Sequence, residues 1–230
     1  MPDGDTTFLH AKKVVYWGGN LTDSAYHDFN FNIDLWVRDY LKRQDYELLN
    51  AGQLKEFMTS KLGGASQTVI VFADNKIPKS VVEDESENAL IRKYLTAGGK
   101  IVLLSTINPL FVKCDPVTGV VQDVNLKLAS KVFGIEFPEQ DFGNGHYYAP
   151  YTQEGKRWGL RGYTIGFWPV DPKEVTKVLA TDEFGKAAAW IKNYGGPEGS
   201  GLLQLSINPP GVLGPDFYPM RAAIEYGINW

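Results

Sequence analysis

Two segments of this chain have no polar face. Thr68 to Ala73 (TVIVFA) and Lys100 to Ser105 (KIVLLS) are apolar on both sides of the strand that each would form. A strand of that kind cannot lie against water on either side. The arrangement that buries both faces is a parallel sheet with helices packed above and below it. The neighbouring pattern supplies those helices. Lys13 to Trp17 (KVVYW) reads as a strand stopped by Gly18-Gly19-Asn20. Ile33, Trp36, Val37, Tyr40 and Leu41 then recur at helical spacing, with charged residues between them. Tyr46 to Leu49 reads as a second strand and Ala51 to Leu62 as a helix closed by Gly63-Gly64. Glu83 to Ala97 is predicted as a further helix, acidic at its start and followed by Gly98-Gly99. Strand and helix therefore alternate four times, which predicts an α/β fold with a doubly wound, mainly parallel sheet.

The second half predicts an irregular, β-rich continuation. Asp115-Pro116 and Thr118-Gly119 mark a turn of hairpin type, and Val124 to Phe133 a short amphipathic helix. Residues 138 to 163 show no clear period. Val175 to Thr181, Ala187 to Lys192 and Leu202 to Ser206 read as strands, and Pro219 to Ile228 as a closing helix with proline at its start. With no linker and no internal repeat, residues 1–230 are expected to form a single domain.

Composition narrows the function classes. Lys plus Arg is 23 and Asp plus Glu is 27, a net charge of −4, which argues against a nucleic-acid binder. The longest apolar runs fall far short of the ~20 residues that span a bilayer. The first ten residues do not resemble a secretory signal. A cytoplasmic location with no membrane partner is expected. The lone cysteine, Cys114, excludes an internal disulfide and a cysteine-built zinc site, and its place between Lys113 and Asp115 suggests a turn. No H-x-x-x-H or H-x-H spacing occurs, and Asp23, Asp28 and Asp74 are better explained as loop aspartates and caps than as a metal set. Neither metal nor cofactor is expected.

In open α/β sheets, ligands bind beyond the carboxyl ends of the strands, where the strand order reverses. The residues just past those ends are therefore the binding candidates. They are Gly18 and Gly19 after the first strand, Asp74 and Asn75 after the third, Ser105, Thr106 and Asn108 after the fourth, and Ser206 and Asn208 after the last. Neither G-x-G-x-x-G nor a Walker-type loop is present, so Gly18-Gly19 reads as a tight turn. Of three histidines, His10 lies in the N-terminal segment, whereas His27, beside Asp28, and His146 lie in loops that could meet over the crevice. These last three are the candidates for acid–base chemistry.

Aromatic residues make up 13% of the chain. One group, including Trp17, Trp36, Tyr40, Phe72 and Tyr94, falls at core positions of strands and helices. The other, with Tyr147, Tyr148, Tyr151, Trp158, Tyr163, Phe167 and Trp168, lies in residues 142 to 168, which marks that stretch as the place to seek a ligand.

The glycine turn followed by Tyr26-His27-Asp28, the Ala97-Gly98-Gly99-Lys100-Ile101-Val102-Leu103-Leu104 junction and the ending Gly201 to Ser206 with Phe217 to Trp230 resemble a ThuA-like domain. That family belongs to the class I glutamine amidotransferase-like superfamily. The resemblance implies a flavodoxin-like fold and a role near carbohydrate metabolism. The superfamily's nucleophilic cysteine and its His-x-Glu pair have no counterpart here: Ser105-Thr106 stands at the elbow, and no histidine follows His146. Glutaminase chemistry is not expected. The reading that follows is a non-catalytic domain that binds a small polar ligand, a carbohydrate, with Tyr147 among its contacts. The alternatives are a hydrolase or lyase on a sugar derivative using a His/Asp pair, and a protein-interaction or homodimerisation module.

Overall fold

The computed structural model describes residues 10–18, 33–73, 76–104, 112–114, 121–124, 126–138, 147–166, 169–207 and 217–225. The first half follows the alternation expected of it: β1 (Lys12–Tyr16), α1 (Ile33–Arg43), β2 (Glu47–Leu49), α2 (Ala51–Lys61), β3 (Thr68–Phe72), the two-residue β4 (Ile77–Pro78), α3 (Leu90–Thr96) and β5 (Lys100–Leu104). Then come β6 (Val112–Cys114), β7 (Val121–Val124), α4 (Leu126–Phe133), β8 (Tyr147–Pro150), α5 (Gln153–Arg157), β9 (Tyr163–Gly166), β10 (Lys177–Thr181), β11 (Ala187–Lys192), β12 (Gly201–Leu205) and α6 (Tyr218–Glu225).

Seven strands form the central sheet in the order β10-β11-β12-β5-β3-β1-β2. β2, β1, β3, β5 and β12 pair in parallel, whereas β11 and β10 add antiparallel at one edge. Counted by their own succession, the parallel strands run 2-1-3-4-5, so the order reverses at β1 and β3. Every residue of β3 and β5 is buried, as their lack of a polar face demands.

Strand alternation divides the core into two layers. Ile70 and Phe72 of β3 and Ile101 and Leu103 of β5 pack with Leu54 and Met58 of α2, Tyr94 and Leu95 of α3, and Val132 and Phe133 of α4. Val69, Val71, Val102 and Leu104 pack on the other face with Val37 and Leu41 of α1 and Met220 and Ile224 of α6. Trp158 and Leu160, just past α5, join this second layer. Helices thus cover both faces, as the α/β reading requires.

Local chemistry explains where the elements begin and end. Asn50 caps α2 with a reciprocal box: its Oδ1 accepts from Gln53 N at 3.0 Å, while Gln53 Oε1 accepts from Asn50 N at 2.9 Å. The helix expected over 83–97 is confined to Leu90–Thr96. Val81 and Val82 are drawn into the core, and Ser86 accepts from Asn88 N at 3.1 Å, so side-chain bonding in this acidic stretch competes with the helix. At its other end α3 stops as expected: Gly98 takes φ +89°, and Gly99 N donates to Tyr94 O at 3.0 Å.

Three side chains from separate elements close the carbonyl end of α4. Arg92 Nη1 donates to Val132 O at 3.0 Å, Tyr194 Oη to Phe133 O at 2.9 Å, and Lys192 Nζ to Gly134 O. Two of the three are cations at the negative end of a helix, the sign the macrodipole favours. At the end of α6, the fully buried Lys100 likewise donates Nζ to Ile224 O at 3.0 Å.

Other expectations are corrected. Residues 138–163 are not irregular throughout, since β8 and α5 lie within them and β8 pairs antiparallel with β9. Pro150 and the surrounding glycines hide that period in the sequence. Cys114 ends strand β6, opposite Val121 of β7, rather than lying in a turn, because β6 is held between β4 and β7. The antiparallel β6–β7 pair flanks the expected hairpin turn. Trp36, expected in the core, is 37% exposed: the buried stripe of α1 runs through Val37 and Leu41 instead.

The turn between β11 and β12 leaves no room at Gly201. Its φ is +110°, and an added Cβ would overlap Lys192 O, while its N–H donates to Gly99 O at 3.0 Å. Gly201→Ala is expected to destabilise the fold by more than about 2 kcal/mol through strain and lost pairing. Urea unfolding of the variant beside the parent, read as a lower midpoint at unchanged slope, measures this.

Candidate functional site

At the carboxyl edge of the sheet, Trp17 follows β1 and is braced by α1. Its Nε1 donates to Asp34 Oδ2 at 3.3 Å, and the Arg38 guanidinium lies 4.2 Å from its ring centroid. Arg38 is itself paired with Asp39 at 2.7 Å, and this hydrogen bond holds the Asp39 carboxyl below its usual value. Gly18 comes next, placed by this braced tryptophan at the reversal of strand order. Ala73 N donates to Tyr16 O at 3.0 Å and so carries the β1–β3 pairing to the rim of the sheet.

Of the expected ligand contacts, Gly18 and the backbone of Tyr147 fall among the described residues. Tyr147 opens β8 opposite Gly166, on the ribbon rather than on a central strand. Gly19, Asp74, Asn75, Ser105, Thr106, Asn108 and Asn208 lie outside the described residues, as do the acid–base candidates His27, Asp28 and His146.

The structure adds a group that sequence reasoning missed. Lys76, between the β3 end and β4, is only 2% exposed. Lysine is rarely buried to that degree unless it is engaged. The only hint in the sequence is a single cation soon after an all-apolar strand. On the other side of β5, Ser206, at the carboxyl end of β12, is 4% exposed, and its carbonyl accepts from Thr164 Oγ1 of β9 at 2.9 Å. The β8–β9 ribbon is thereby tied to the same edge of the sheet.

The aromatic stretch divides. Trp158 and Tyr151 are buried in the layer shared with α1 and α6, so they are core residues and not ligand contacts. Tyr148 and Tyr163 are 60% and 42% exposed, and their ring centroids lie 4.6 Å apart. α5 is fastened to the sheet beneath them. Thr152 caps it, accepting from Gly155 N at 3.1 Å and donating Oγ1 to Val178 O at 2.7 Å. Glu154 accepts from Trp158 Nε1 at 3.2 Å and pairs with Lys177 at 2.8 Å, and Lys177 also pairs with Glu198.

Among the described residues no group of three or more His, Cys, Asp or Glu side chains is placed to hold a metal ion. None of the described helices is long and apolar enough to cross a membrane. A cavity of about 770 Å³ opens at the opposite, amino edge, where His10, Lys12, Lys61 and Gln67 contribute to its wall. It lies away from the reversal point, and sequence reasoning did not anticipate it.

The Glu154–Lys177 pair has a pH signature. Burial raises the Glu154 pKa, but the Lys177 hydrogen bond and charge outweigh it and leave the carboxyl below its ordinary value. Burial lowers the Lys177 pKa, but its bonds to Glu154 and Glu198 hold it above the ordinary one. The carboxylate contribution is thus full above the ordinary glutamate range and is lost as the pH falls through the lowered value. The lysine contribution is full below the ordinary lysine range and is lost as the pH rises through the raised value. Glu154→Gln is expected to destabilise the protein by about 1 kcal/mol near pH 7. That deficit should shrink toward zero in acid, as urea midpoints measured across the pH range would reveal.

No curated protein matches the chain. A family model does, over residues 12–214, which takes in the sheet from the start of β1 to beyond the end of β12. On that match, the chain belongs to the MJECL34 family.

Proposed function

We propose that this chain is a flavodoxin-like, amidotransferase-like domain that binds a small polar ligand of the carbohydrate class at the carboxyl edge of its sheet, without glutaminase chemistry. The 2-1-3-4-5 order of the parallel strands is that of flavodoxin-like sheets and supports the fold assignment. The succession of elements supports kinship with ThuA-like domains. The observation that carries the binding reading is the reversal of strand order at β1 and β3, with Gly18 just past the carboxyl end of β1.

A thermal-shift series with mono- and disaccharides tests this. A ligand at a hundred times its Kd adds about 2.7 kcal/mol, a rise in Tm of about 5–10 °C for a chain of this size. Absence of a rise with every sugar at millimolar concentration overturns the reading.

A second reading, self-association, is favoured by the exposed Tyr148–Tyr163 pair, since tyrosine is enriched at interface cores. Light scattering would then give a dimer for the parent and a monomer for the Tyr148→Ser, Tyr163→Ser double variant. A parent that stays monomeric at high concentration removes it.

A further inference from the structure

Two hydrogen-bond donors are buried near the carboxyl end of β12 with no partner among the described residues. They are the indole Nε1 of Trp190 and the hydroxyl of Ser206, whose residues are 0% and 4% exposed. The other buried atoms in this state are acceptors: Gln204 Oε1, across the β11–β12 pair from Trp190, and one oxygen each of two carboxylates already engaged through their second oxygen. Asp182 Oδ1 takes the amides of Phe184 and Lys186, and Glu225 Oε1 faces Lys13. Trp190 and Ser206 have no such explanation. A buried donor left without an acceptor costs more than a typical hydrogen bond contributes, so native structures rarely retain one without a use.

The two belong to one place. Trp190 of β11 pairs with Gln204 of β12, and strand alternation puts Ser206 on the same face, one pair nearer the carboxyl edge. Ile207, next in sequence, packs in the opposite layer with Leu203 and Leu205, as that alternation requires. Diagonal neighbours of this kind lie ~7–8 Å apart, somewhat less at Cβ, close enough for an indole to share a ligand with a hydroxyl. Phe137 walls the indole, with ring centroids 6.4 Å apart.

We infer that Trp190 Nε1–H and Ser206 Oγ–H together receive an oxygen of the ligand at the carboxyl end of β12, and that this oxygen belongs to a neutral sugar. The inference rests on the carboxyl-edge reading above and names contacts at one point of that rim. An indole N–H only donates, so its partner must be an acceptor. Neither donor carries a charge, so the pair suits a sugar hydroxyl or ring oxygen and offers nothing to neutralise a phosphate. A trapped water would satisfy the same donors, and the experiment separates the two.

The indole N–H resonances of ¹⁵N-labelled protein are followed during titration with glucose, galactose and maltose, with inorganic phosphate as the anionic control; Trp190→Phe assigns the Trp190 peak. Affinity and thermal stability of Ser206→Ala are measured alongside. Expected are movement of the Trp190 peak with a sugar, none with phosphate, and roughly tenfold weaker sugar binding by Ser206→Ala. The same variant should melt no lower than the parent without ligand, because it removes a hydroxyl that lacks a partner. A structural role for the hydroxyl would lower the melting temperature instead. If a sugar binds but the Trp190 peak stays fixed, or Ser206→Ala binds as the parent does, this inference is overturned while the carboxyl-edge reading stands. Movement with phosphate alone overturns the neutral-sugar assignment. If no sugar moves any resonance, both fall together.

Discussion

Everything in this molecule is arranged around two strands that must not meet water on either side. β3 and β5 lie at the middle of the sheet, and all their residues are buried. Their alternate side chains feed two separate apolar layers, so the chain has to supply helices to both. Burial at roughly 25 cal/mol per Å² of apolar surface makes that central block the main source of stability. With both faces of the sheet committed to packing, polar function is left to its ends. This is why Lys76 and Ser206 can be polar and buried without breaking the core: each lies past the carboxyl end of a central strand.

The sequence is most legible where burial is symmetrical. TVIVFA and KIVLLS admit one environment, and the helices between them follow from 3.6-residue spacing and glycine stops. Legibility fails where local bonding or tertiary packing competes with periodicity. The acidic run from Glu83 reads as a helix start, yet Ser86 and the buried Val81 and Val82 set a different path. Trp36 fits the apolar stripe of α1 on spacing alone, but the stripe that packs is centred on Val37 and Leu41. The β8–β9 ribbon is obscured because its period of two spans only four residues per strand and is interrupted by proline.

The candidate site is legible as a location and less so as chemistry. Strand order fixes the edge where a ligand belongs, and Gly18 and Ser206 lie on that edge as the spacing predicts. The buried donors there are harder to read. Lys76 looks like any loop lysine until its burial is known, and Trp190 looks like core filling until its N–H is found without an acceptor. Conversely, the tryptophan that the sequence marks as a ligand contact, Trp158, is core packing whose N–H is satisfied by Glu154. Burial and bonding state separate these cases, and neither can be read from residue type.

At the amino edge, two glycine turns are wedged into one another. A side chain on Gly196 would strike the Gly98 backbone, and Gly98 faces Pro197 and Ser66. The N–H of Gly201 then bonds Gly99 O across the gap. The two connections act as one interlocked part, so neither can lengthen without displacing the other. An engineer wishing to open the chain, graft a peptide or move its termini would find no slack from Gly196 to Gly201. The β10–β11 turn offers it, since Phe184 is 68% exposed there and Gly185 has open space around it. One edge of this sheet is thus a fastening, and change in length is left to its far side and its hairpin tips.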